Sequence, residues 1–213
     1  MSHMFEAKRR EYTQGGLRRA DLAKNPFDQF ANWYDQVEAA GVTDPTAMVL
    51  ATADAMGLPS QRIVLLKHLD QSGFVFYTHL ASRKGRELRE NPKASLLFPW
   101  HSLDRQVKVT GTVELVDLQM ATDYFASRPR QSQLAAWSSA QSDVISSRQV
   151  LLDAYDRMEE QFAGTEVPMP ENWGGYRVRP EAIEFWQGGE FRLHDCFRYR
   201  LQGRAWVVDR LAP

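Results

Sequence analysis

Between Arg105 and Val116 the side chains alternate strictly, with Val107, Val109, Gly111, Val113 and Leu115 on one face and Gln106, Lys108, Thr110, Thr112 and Glu114 on the other. A helix would scatter both sets around its circumference, whereas an extended strand gives them one dry and one wet face. Other segments carry related signals. Ala47 to Ala53 alternates weakly around Met48, Val49 and Leu50, Phe74 to Thr78 is aromatic and β-branched, and Ala94 to Trp100 is apolar. Ile63, Val64, Leu65 and Leu66 form a short continuous apolar run, predicted to be a strand buried on both faces. The turn residues Asp70 to Gly73 predict that this run and Phe74 to Thr78 form an antiparallel hairpin. After Pro168-Met169-Pro170 the chain returns to strands over Trp173 to Val178, Ala182 to Gln187, Phe191 to Arg200 and Arg204 to Asp209, with Gly188-Gly189 as a hairpin turn. Strands in this succession predict a barrel or sandwich.

Helices are spaced among them. Phe27, Phe30, Trp33, Tyr34 and Val37 follow helical spacing after Asn25-Pro26, to about Ala40. Ser82 is an N-cap for a short helix from Arg83 to Glu90, stopped by Asn91-Pro92. Leu118 to Ser127 and Ser146 to Phe162 read as helices, and Leu134 to Trp137 is helix-like. The fold class is therefore α+β, mainly β. Nothing in the 213 residues resembles a Pro/Gly/Ser linker, so residues 26–213 are expected to form one domain behind a polar, mobile arm over 1–25.

Composition narrows the function. With 26 basic and 27 acidic residues the net charge is −1, which gives no global field for nucleic acid or an anionic membrane. The single cysteine, Cys196, cannot form an internal disulfide and fits a reducing compartment. No apolar run reaches spanning length and the N-terminal residues show no signal-peptide core, so the expected location is the cytoplasm. Gly-x-Gly-x-x-Gly, a Walker loop, His-Glu-x-x-His and cysteine clusters are all missing, and the five histidines are too scattered for a metal site.

What remains is local groups of anion-binding side chains. Arg62 and Lys67 bracket the Ile63 to Leu66 run and, with a two-residue side-chain period, leave opposite faces of one strand. Arg83 and Lys84 sit in a first helical turn, where the helix dipole disfavours cations unless an anion docks there. The same residues also fit a solvated basic helix start. Further groups lie at Tyr124 to Ser132, with Arg128 and Arg130, and at Arg192 to His194, near Trp186. Trp186 also fits a core or dimer-seam residue, and Arg192 a cross-strand ion pair with Glu190 or Asp195.

Taken together, ordered segments along nearly the whole chain resemble the pyridoxine (pyridoxamine) 5′-phosphate oxidases: RREYTQGGLRR, DPTAMVLAT, QRIVLLKH, VFYT, SRK, NPKASLLFPW, RQVKVTG, YFASRPRQSQ, WGGYRV and IEFWQGGEFRLHD. The resemblance implies a homodimer of split β-barrels, Greek-key antiparallel barrels with flanking helices, binding FMN at the subunit interface. By it, Arg62, Arg83 and Lys84 match FMN-phosphate ligands, Ile63, Val64, Leu65, Leu66, Lys67, Tyr77 and Thr78 the flavin lining, and Gln106, Gln141, Ser142 and Trp186 the positions that close the cofactor site. Lys67, Tyr124, Arg128 and Ser132 match the substrate-phosphate cradle, Arg192 and His194 the catalytic pair against the pyridine ring, and Arg9 and Tyr12 a lid. The implied reaction oxidises pyridoxamine or pyridoxine 5′-phosphate to pyridoxal 5′-phosphate, with dioxygen as acceptor, hydrogen peroxide released and no strong general base evident. Another flavin-using split-barrel oxidoreductase, or a non-catalytic binder of FMN or pyridoxal phosphate, would share part of this pattern. Cys196 departs from it, because arginine is expected at this flavin-contacting position, and Arg198, two residues on, is the better replacement on the same strand face.

Overall fold

Asn25 opens the first helix, α1 (Pro26–Ala39), by accepting the Phe27 N–H on its side-chain oxygen at 2.8 Å, and Pro26 sits where a missing donor costs nothing. The computed structural model describes residues 11, 12 and 15–213. Strands β1 (Ala47–Ala53), β2 (Pro59–Leu65), β3 (His68–Asp70) and β4 (Gly73–His79) follow, then helix α2 (Arg83–Glu90) and strands β5 (Lys93–Trp100) and β6 (Arg105–Leu115). Helices α3 (Leu118–Ser127), α4 (Arg130–Ser138) and α5 (Arg148–Gln161) precede β7 (Trp173–Gln187), β8 (Asp195–Gln202) and β9 (Ala205–Leu211). Among the described residues the strands form one nine-stranded sheet in the order β2-β1-β5-β6-β7-β4-β3, with β8 paired to β7 and β9 to β8. The β3–β4, β4–β7, β7–β8 and β8–β9 pairs are antiparallel, so the α+β class with an antiparallel sheet is the one observed.

The described residues divide into two compact units, one of those up to 49 with 96–110 and 180–213 and the other of residues 50–95 and 111–179. In the first, Phe30, Trp33 and Val37 of α1 are buried with Phe98 and Trp100 of β5, Val107 and Val109 of β6, Phe185 of β7 and Tyr199 of β8. The rings meet mostly edge to face, Phe30 on Phe98 at 4.9 Å and Trp33 on Phe185 at 5.3 Å, a geometry that adds to the burial of their area. In the second, Phe125, Leu134, Phe162, Val167 and Trp173 form a core on which Tyr77, Tyr124, Tyr155 and Met158 pack.

Several elements differ from their sequence-based expectation. Trp173 to Gln187 is one strand rather than two: β7 pairs β4 up to Val178 and β8 from Ala182, and Pro180, which has no N–H to donate, falls between the two registers. The strand expected from Phe191 begins only at Asp195, because Phe191 and Arg192 adopt left-handed conformations with φ of 54° and 65°. The hairpin joins β3 to β4 through Gln71-Ser72, while β2 pairs β1. The Ile63 to Leu66 run is not buried on both faces: β2 ends the strand order, and Ile63 is 71% and Leu65 40% exposed. The dry face of β6 stops at Gly111, Leu115 being 59% exposed. Helix α4 starts at Arg130, so it takes in Ser132 rather than beginning at Leu134.

Candidate active site

The first turn of α2 organises the larger site. Ser82 accepts the Gly85 N–H on its hydroxyl at 3.4 Å, and Gly85 is required there because a Cβ would stand 2.1 Å from the Leu80 carbonyl oxygen. Lys84, the preceding residue, is buried, 8% exposed. Its ammonium donates to Gln141 Oε1 at 2.6 Å, Thr78 Oγ1 at 3.1 Å and Ser82 Oγ at 3.2 Å. Burial, reinforced by the Arg62 charge and opposed by Glu87, lowers the Lys84 pKa to about 8.

Arg62 reaches the same neighbourhood from β2, donating to Leu50 O at 3.3 Å, to the Thr52 and Ser60 hydroxyls and to Glu87 at 3.3 Å. Glu87 also accepts from Arg83 Nε at 2.8 Å, Ser60 Oγ at 2.6 Å and Thr52 Oγ1. Burial works to raise the Glu87 pKa, but the hydrogen bonds from Ser60, Thr52, Arg83 and Arg62 outweigh it and hold the carboxyl at about 2. Sequence reasoning did not reach Glu87, Thr52 or Ser60. The i,i+4 spacing of Arg83 and Glu87 was a signal available for Glu87.

Ser60, Arg62, Thr78, Arg83, Lys84 and Gln141 border a cavity of about 730 Å³. Arg62, Lys67, Arg83, Lys84 and Arg128 line it, and among the described residues no carboxylate does. Arg62 and Lys67 thus serve one cavity, not opposite faces of a strand, because β2 ends at Leu65 and Lys67 lies in the break before β3. Tyr77, Tyr124 and Trp173 contribute an aromatic wall, Tyr77 stacked on Tyr124 at 3.9 Å and on Trp173 at 5.5 Å. Arg128 lies over Trp173 at 5.0 Å and over Phe125 at 5.6 Å, and its Nη1 is buried without a hydrogen-bond partner. A buried, unpaired guanidinium nitrogen on a cavity wall is a donor that a bound anion would satisfy. Ile63, Val64, Leu65, Thr78, Ser132, Gln141 and Ser142 complete the expected residues found here, and His79 and Ser139 join them unforeseen. Leu66 is buried at 8% exposure and does not line the cavity.

The remaining expected residues belong to the other unit. Tyr12 packs edge-on against Trp186 at 5.7 Å and His194 at 5.3 Å, Trp186 and His194 lie 4.7 Å apart, and Arg192 sits 5.4 Å above the Tyr12 ring. The Gly189 N–H donates to His194 Nδ1 at 3.1 Å, which leaves Nε2 to carry the proton of a neutral imidazole. Arg192 does not pair with Asp195, whose carboxylate instead receives Arg210 and the Leu17 N–H. Cys196 is buried opposite Trp186 in the β7–β8 register, and burial, with the Glu184 charge and hydrogen bond, pushes its thiol up to about 12. Arg198 is on the same face and donates to Asp209 at 3.3 Å. Lys108 forms an ion pair with Glu184. Gln106 is half-buried on β6, and Arg9 lies outside the described residues.

An antiparallel sheet with flanking helices and a cation-lined cavity places the chain among the split-barrel proteins. Residues 35–162 match the family described as pyridoxamine 5′-phosphate oxidase, and residues 173–213 match the pyridoxine 5′-phosphate oxidase C-terminal dimerisation region. The chain belongs to the pyridoxamine 5′-phosphate oxidase family and is an enzyme of the oxidoreductase class. It is 55% identical over 205 residues to the pyridoxine/pyridoxamine 5′-phosphate oxidase of Shewanella amazonensis, covering 96% of this chain and 97% of the relative. The protein of the same name in Vibrio cholerae is 56% identical over the same shares. Among solved structures, PhzG from Burkholderia lata, in complex with tetrahydrophenazine-1-carboxylic acid, superposes with a TM-score of 0.87 at 30% identity, covering 91% of this chain and 95% of that one. A pyridoxamine 5′-phosphate oxidase-related, FMN binding protein from Nostoc punctiforme shares the fold alone, with a TM-score of 0.71 at 12% identity over 90% of this chain and 100% of that one.

Proposed function

We propose that this enzyme binds FMN and oxidises pyridoxamine and pyridoxine 5′-phosphate to pyridoxal 5′-phosphate, with dioxygen as acceptor and hydrogen peroxide as the second product. The observation that carries the reading is the cavity lined, among the described residues, by five cationic side chains and no carboxylate, a composition suited to two phosphate groups. Its volume of about 730 Å³ falls in the usual range for ligand pockets. The residues fit the flavin nucleotide: Arg62, Arg83 and Lys84 for its phosphate, and Val64, Tyr77 and Thr78 along its ring. When bound, FMN supplies the two-electron chemistry, taking a hydride from the substrate carbon and passing the electrons to dioxygen.

The chain's own residues bind, orient and shield. Lys67, Tyr124, Arg128 and Ser132 hold the substrate phosphate, the unpaired Nη1 of Arg128 gaining a partner there. Arg192 and His194 hold the pyridine ring, and Tyr12 covers it. His194, fixed with Nδ1 as acceptor, offers its Nε2 proton as a donor to the ring substituents. The work is positioning and electrostatics rather than general base catalysis. We infer a homodimer: the matched C-terminal dimerisation region supports it, as do the exposed Ile63 and Leu65. Location in the cytoplasm fits the lack, among the described residues, of any helix long and apolar enough to cross a membrane.

The test is to add FMN to the purified protein, record flavin absorbance, and measure peroxide release from pyridoxamine 5′-phosphate in air. Peroxide and pyridoxal phosphate in equal amounts are expected. Bound flavin with no turnover would favour a storage role, and turnover only of a substrate without phosphate would favour another split-barrel oxidoreductase.

A further inference from the structure

We infer that Glu87 is the positioning residue of the anion site, a buried carboxylate that aligns Arg62 and Arg83 and matches the site's charge to a phosphate monoester. The inference rests on the reading that these arginines and Lys84 receive the FMN phosphate. Glu87 is 4% exposed and lies one helical turn beyond Arg83 on α2. Its Oε1 accepts from Arg83 Nε at 2.8 Å, while Oε2 accepts from Ser60 Oγ at 2.6 Å, from Thr52 Oγ1 and from Arg62 Nη2 at 3.3 Å. One carboxylate thus ties a guanidinium from the sheet to a guanidinium from a helix start. Glu87 holds Arg83 through Nε, so the fork of terminal nitrogens is not spent on it, and a fork fixed in advance loses less freedom when it closes on an oxyanion.

The charge count points the same way. Arg62, Arg83 and Lys84 put three positive charges along the cavity. Ionised Glu87 reduces the sum to two, which balances a phosphate monoester carrying about −1.5 to −2 near neutral pH. Without it the cations repel one another across a site that already buries an ammonium. Glu87 does not itself line the cavity, so it acts through the arginines and not by touching the ligand.

The experiment titrates FMN and riboflavin, which lacks the phosphate, into wild type, Glu87→Ala and Glu87→Gln, reading flavin fluorescence. Wild type is expected to prefer FMN. Glu87→Ala should lose about tenfold to a hundredfold in FMN affinity, as for one lost set of charge-assisted bonds, with riboflavin affinity unchanged. Glu87→Gln keeps the shape and one acceptor and should fall between, which keeps the test decisive if the alanine variant does not fold. A loss confined to FMN in either variant supports the role. Unchanged FMN affinity in both, or riboflavin falling in parallel with FMN, overturns it, the second outcome marking Glu87 as merely structural. A wild type that does not distinguish FMN from riboflavin removes the phosphate reading itself, and the inference with it.

Discussion

Lys84 and Gln141 stand 57 residues apart in sequence, yet the Lys84 ammonium donates to the Gln141 amide oxygen at 2.6 Å. The amine is buried with its pKa lowered from 10.5 to about 8, and an arriving phosphate would raise that value again. Binding therefore takes up a proton above about pH 8 and none below it. FMN affinity should be flat from about pH 7 to 8 and then fall, approaching tenfold per pH unit. For the free protein the sign is opposite: the folded state resists protonating Lys84, so that penalty is fully present below pH 8 and is relieved as pH rises from 8 towards 10.5. Isothermal titration at several pH values checks the binding profile, and Lys84→Gln should flatten it.

Lys67 lines the cavity while its backbone N–H is fixed to the Val75 carbonyl at 2.9 Å. Lys67→Met keeps the stem and removes the charge. Affinity for pyridoxamine 5′-phosphate should fall by about 1.5 to 3 kcal/mol, the cost of one charge-assisted contact, with FMN affinity little changed. Equal losses in equilibrium dialysis of both ligands would assign Lys67 to the cofactor.

Gly85→Ala is expected to be costly although alanine favours helix, because its Cβ would meet the Leu80 oxygen at 2.1 Å and the Leu80 carbonyl carbon at 2.6 Å. Overpacking of this kind costs roughly 1–3 kcal/mol, or about 2–12 °C in midpoint for a chain of this size. Thermal unfolding followed by circular dichroism reads it, and an unchanged midpoint would mean that α2 moves away freely.

Cys196 should resist alkylation in the native protein at pH 8, since the thiol is 4% exposed and its pKa stands near 12. The unfolded chain, with one cysteine, should take one label by mass spectrometry. Cys196→Arg would add a guanidinium beside Glu184 and is expected to slow FMN release, by up to about 1.5 to 3 kcal/mol. An unmoved release rate in that variant would show that position 196 does not contact the flavin.

The local elements were written in the chain itself. Asn25-Pro26 and Ser82 start α1 and α2 where the caps are read, and Asn91-Pro92 stops α2, because capping and proline geometry act over a few residues. The alternation of β6 likewise needs only the two-residue pleat, and it held from Val107 to Gly111. Arg83 and Lys84 of the cavity were legible too, since basic side chains in a helix's first turn conflict with its dipole. What periodicity does not carry is which elements become neighbours. The continuity of β7 past Pro180, the break that turns Lys67 into the cavity and the meeting of Thr52, Ser60 and Arg62 with Glu87 depend on register and packing between segments distant in the chain. A carboxylate on a polar helix looks like any solvated acid until the tertiary structure buries it under two arginines, where low exposure and four donors make it the fixed point of the site.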